Sequence, residues 1–116
     1  MPIDAPGDRT YRDEIEDTVL LLEENFYALY QHCSTSEQKK HLCDTYSAAR
    51  YACWKVAKQA PPDGWSVDSK ASQDLKMTNM QLAVVLQNPG DIGASLSLAA
   101  EAVRLATSLA TDPAAA

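Results

Sequence analysis

Glycine is scarce in this chain of 116 residues, with four in all at positions 7, 64, 90 and 93. None of them forms a phosphate-cradling loop. Gly90-Asp91-Ile92-Gly93 opens a helix and could in principle offer free N–H groups to an anion. The Asp91 carboxylate would repel that anion, so Asp91 reads as a helix cap. Histidine is scarcer still, with only His32 and His41. A nucleophile, base and orienting group would have to be assembled from a pair such as Cys43 with His32. No Cys-x2-Cys, His-x3-His or Glu-x-x-His spacing occurs. The usual ligand patterns of structural zinc and of carboxylate metal sites in helical bundles are therefore missing. His32, His41 and Cys43 still cluster near one turn and are the ligand set a metal would have to use. His41 and Cys43 are two apart on a helix and face about 200° from each other.

Long apolar runs are also lacking. The longest is Leu82 to Leu86, against the ~20 residues a membrane span requires. Met1 to Thr10 carries no basic-then-apolar signal pattern. Basic charge is in deficit, with Lys plus Arg at 10, Asp plus Glu at 16 and a net charge of −6. That argues against a nucleic-acid surface. Three cysteines, an odd number, argue against a disulfide framework. Reduced thiols in a cytoplasm are expected instead.

What is present is an ordinary globular mixture, 46% apolar and 22% charged, in a length suited to one domain. Residues 1–9, with two prolines and a glycine, read as a flexible arm. Residues 10–111 read as one helical domain, and 112–116 as a disordered tail. Ile15, Val19, Leu22, Phe26, Leu29 and Cys33 recur at steps of three and four and predict a first helix over about 10–33. Ser34…Glu37 and Thr35…Gln38 both have capping-box spacing and predict an immediate restart. Leu42, Tyr46, Ala49, Cys53, Val56 and Ala60 carry a second helix to Pro61-Pro62-Asp63-Gly64. Trp65 reads as a lid over one end of the bundle. Asp68 or Ser69 would cap a third helix running to about Gln87. Asn88-Pro89-Gly90-Asp91 breaks it, and Asp91 would cap a fourth helix running to about Thr111. No segment reads as a strand. The expected fold is all-α, a four-helix antiparallel up-and-down bundle with two long N-terminal helices and two shorter C-terminal ones.

Charge is unevenly spread. Residues 1–34 hold eight acids and two bases, while residues 35–60 hold two acids and five bases. An acidic helix followed by a basic one favours an antiparallel pair.

The third and fourth helices each carry more apolar surface than one stripe. Leu75, Leu82 and Leu86 point within about 20° of one direction, and Met77, Met80 and Val84 point nearly opposite. On the fourth helix Leu98, Ala102, Leu105 and Leu109 form a stripe about 110° from that of Ile92, Leu96, Ala99, Val103, Ala106 and Ala110. One reading is a homodimer interface, most simply two-fold, using Leu98, Ala102, Leu105, Leu109, Met77 and Met80. The other is a fourth helix buried on both sides within one chain. Tyr51 and Trp54 lie off the core stripe of the second helix; they suit a protein-binding surface and equally rings laid flat along a neighbouring helix or a second copy.

The expectation is thus a small, acidic, cytoplasmic, non-enzymatic interaction module without a cofactor. Its partners would be a second copy and another protein, with no nucleic acid and no membrane. The alternative is a bundle that binds a small apolar ligand lined by Met77 and Met80, or a metal near His32, His41 and Cys43.

Overall fold

A computed structural model of the protein describes residues 11–58, 70–88 and 90–111. The expected arm, the tail, the Trp65 lid and the Asp68 or Ser69 cap lie outside these residues. Four helices make up the fold: α1 (Tyr11–His32), α2 (Ser36–Ala57), α3 (Lys70–Gln87) and α4 (Ile92–Thr111). There is no strand among the described residues. None of these helices is long and apolar enough to cross a membrane.

Local chemistry sets the helix ends. Asp13 and Glu14 stand in the first turn of α1, where carboxylates complement the positive end of the helix dipole. The helix closes with Cys33 N–H donating to the carbonyls of Leu29 and Tyr30. Thr35 then caps α2 in an extended conformation, its hydroxyl accepting the Gln38 N–H at 3.0 Å. Gln38 reaches back and accepts the Ser34 N–H at 2.7 Å and the Ser34 hydroxyl at 3.1 Å. This is the expected capping exchange with its return arm one residue earlier than in the usual box. At the second turn, Asp91 accepts the Ala94 N–H on its side chain at 3.2 Å and caps α4. Its carbonyl takes both the N–H and the hydroxyl of Ser95.

The apolar stripes meet as the spacing predicts. Ile15, Leu22 and Leu29 of α1, Leu42 and Val56 of α2, and Leu75 and Leu82 of α3 are all essentially inaccessible to water. Each such side chain contributes about 1.5–3 kcal/mol of burial. The α1–α2 pair adds an aromatic seam. Phe26 packs on Tyr30 at 6.1 Å and on Tyr46 at 5.2 Å between ring centroids. The opposite charges of these two helices meet through those rings. Tyr46 donates to Glu23 at 3.1 Å, Lys39 lies 5.2 Å from the Tyr30 ring centre, and Arg50 lies over Tyr46. Among the described residues no ion pair crosses from α1 to α2. The ion pairs run along single helices, as in Arg12–Glu16 and Lys40–Asp44.

Around the bundle the order is α1, α2, α4, α3, with α1 and α4 also touching across the middle. The largest contact is between α2 and α4, whereas α2 and α3 scarcely meet. The chain therefore forms two hairpins, α1–α2 and α3–α4, set side by side. The chain thus passes from α2 to α3 between two helices that are not neighbours.

This arrangement answers the surplus of apolar surface on α4. Ala99, Ala102, Val103, Ala106, Leu109 and Ala110 are all buried within the one chain, and Leu98 and Leu105 are half-buried against the same core. Ala102 and Leu109, expected at an interface between copies, are thus internal. The reason is that α4 packs on all three other helices, and its alanines let them approach closely. Met77, Met80 and Val84 of α3 remain 59%, 61% and 68% exposed.

Candidate functional site

A concavity lies between α1 and α3. Glu14, Asp17, Leu20, Leu21 and Glu24 recur at helical spacing and form one wall. Lys76, Asn79, Met80 and Ala83 form the other in the same way. The groove holds about 430 Å³.

Its floor is polar and fixed. Asn79 occupies a position on the Leu75–Leu82 face of α3 and is buried. Its amide N–H donates to the Glu14 carbonyl at 2.8 Å. Its Oδ1 accepts the Thr18 hydroxyl at 2.8 Å, and that hydroxyl also lies 3.1 Å from the Glu14 carbonyl. These bonds tie α1 to α3 at one height, because a buried amide that lost its partners would be costly. Leu20 and Met80 stand on opposite lips, 50% and 61% exposed. Glu14, Asp17, Glu24 and Lys76 are the charged residues of its lining. Met77 and Val84 extend the apolar strip along the outer side of α3.

A second exposed cluster lies on α2. The rings of Tyr51 and Trp54 stack 5.7 Å apart, and Lys58 Nζ lies 4.9 Å from the Trp54 ring centre. Both residues are more than half exposed. From Thr45 to Lys58 the helix has three bases, Arg50, Lys55 and Lys58, and no acid.

The structure does not gather the candidate metal ligands. His32 Nδ1 lies 2.8 Å from the Ala28 carbonyl of its own helix, and Cys43 is exposed with a free thiol. Among the described residues no three His, Cys, Asp or Glu side chains stand where they could share an ion. Burial pushes the Cys33 thiol above its ordinary value, and Lys39 only partly opposes this. The Cys53 thiol is raised too, by burial first and by the Glu16 charge second. Neither is thereby primed as a nucleophile.

Of the expected contact residues, Met80 enters the groove, Met77 flanks it, and Tyr51 with Trp54 forms a separate face. Leu20 and Asn79 are groove residues that periodicity does not single out. The signal for Leu20 is the unbroken run Val19-Leu20-Leu21-Leu22, wider than one stripe needs. The signal for Asn79 is an amide placed where the α3 stripe calls for a leucine. Comparison with protein-family models, with curated proteins and with solved structures finds no match to this chain.

Proposed function

We propose that the protein is a non-enzymatic interaction module. Its docking site is the α1–α3 groove, and its partner offers a helical segment with an apolar stripe flanked by lysine or arginine. The observation that carries this reading is the pairing of Leu20 and Met80, both half or more exposed, on facing lips of a groove lined by Asp17 and Glu24. Apolar side chains of the partner would supply the affinity by burial against them. Methionine adapts to rings and branched chains of different shape. The carboxylates would speed the encounter with a basic partner and disfavour an acidic one. Three free cysteines support a reducing, cytoplasmic setting.

The test is titration with a fluorescent amphipathic Leu/Lys helix, read by anisotropy. Binding should weaken at least tenfold in the double variant Leu20→Ser/Met80→Ser and in high salt, and a Leu/Glu helix should not bind. Undiminished binding by the double variant would refute the site. The groove's volume, about 430 Å³, also falls within the ~300–1,000 Å³ of small-molecule sites. Native mass spectrometry that finds an apolar molecule retained by the wild type and lost from the double variant would favour that second reading.

A further inference from the structure

We infer that the groove receives the outer face of α2 from a second copy of this same chain, so that the copies join head to tail. The inference rests on the docking reading of the groove given above and names its occupant.

The chemistry of the two faces is complementary. The C-terminal half of α2 presents Tyr51 and Trp54 at a spacing of three, the pattern with which a helix anchors in a groove. Arg50, Lys55 and Lys58 flank them, with no acid from Thr45 to Lys58. The groove offers the counterparts: Leu20 and Met80 on its lips, and the Glu24 carboxylate on its wall. Methionine sulfur against an aromatic ring is a favourable contact. Tyr51 and Trp54 are already stacked, and Lys58 already lies over Trp54. The α2 face is therefore ordered before it binds and loses little side-chain freedom on docking.

Geometry decides the symmetry. Helices α2 and α3 scarcely touch and stand diagonally across the bundle. The α2 face and the α1–α3 groove are therefore different surfaces of one chain. A copy can fill its neighbour's groove while its own groove is filled by a third. Contacts of this kind are heterologous and build rings or open strings, not a two-fold pair. Two aromatic anchors bury about 150–250 Å² each, less than the ~800 Å² per partner of a standard interface. Self-association should accordingly be weak and reversible.

The test is sedimentation of the chain and two surface variants, with circular dichroism to check that each is folded. The wild type should rise above its monomer mass of 12.6 kDa as concentration increases, and added salt should lower the association. Leu20→Ser/Met80→Ser spoils the groove and Tyr51→Ser/Trp54→Ser spoils the α2 face. Each alone should remain a monomer. Mixed together they should form a one-to-one pair that grows no further, because each variant keeps the half the other lacks. A wild type that stays monomeric at every concentration would overturn the inference. So would self-association that survives either double variant. If the Leu/Lys helix still binds the groove in those cases, the docking reading stands and only the choice of occupant fails. If it does not bind, both fall.

Discussion

The side-chain amide oxygen of Asn79 accepts the hydroxyl of Thr18 at 2.8 Å across the α1–α3 contact. Both residues are buried, and the amide N–H of Asn79 is held by the Glu14 carbonyl. A polar pair set among leucines fixes the height at which two helices pack. It therefore sets which residues of α1 face which residues of α3 across the groove above it.

Removing one member of the pair should cost more than removing both. Asn79→Leu and Thr18→Val should each destabilise by about 1–3 kcal/mol, since each breaks the buried bond between the two side chains and Thr18→Val leaves Asn79 Oδ1 without its donor. The combined Thr18→Val/Asn79→Leu change should cost clearly less than the sum of the two, measured by urea unfolding as a double-mutant cycle. Strictly additive losses would mean that the bond does not couple the helices.

Leucine and methionine positions on the C-terminal hairpin should separate cleanly. Leu109→Ala opens a cavity in the protomer core and should cost about 2–5 kcal/mol. Met77→Ala, at a side chain 59% exposed, should change stability by no more than ~0.5 kcal/mol. Equal effects in chemical denaturation would contradict the internal placement of Leu109.

Thiol reactivity should follow burial. With a chromogenic disulfide reagent Cys43 should react first, Cys53 next and Cys33 last, as their exposure decreases. The raised Cys33 value adds a pH dependence of known sign. The folded chain holds the thiol proton more tightly than the unfolded chain. The associated stability is complete below the ordinary thiol range, ~8.5, and is lost as pH rises through the higher folded value. Replacing Cys33 by alanine should flatten that alkaline decline in a melting series. An unchanged slope would mean that Cys33 is more hydrated than its position indicates.

How far the sequence could be read depended on the kind of information each feature carries. Helix ends are written locally. Thr35 with Gln38 marks the start of α2 and Asp91 that of α4, and both caps form where their spacing predicts. The stripes through Ile15, Leu22 and Leu29, and through Leu75 and Leu82, likewise identify buried faces, because helical period alone decides which side chains align. Neighbour order around the bundle is not written this way. Periodicity says that Ala102 and Leu109 want cover but not which helix supplies it, and α2, α3 and α1 of the same chain supply it. The groove was half legible. Met77 and Met80 stand out as apolar residues opposite a core stripe. Leu20 and Asn79 acquire meaning only when α1 and α3 are placed together.

The winding of the chain has a consequence for how it assembles. Each hairpin is closed by a short turn with its own cap, so each can form from contacts close in sequence, which is the fast kind. The large α2–α4 contact joins segments far apart in the chain and must come afterwards, as two ready-made halves collide. A cut between Lys58 and Lys70 would then leave a pair of fragments with matching apolar faces. Such fragments would recombine in solution, their α2 and α4 faces meeting as in the uncut chain.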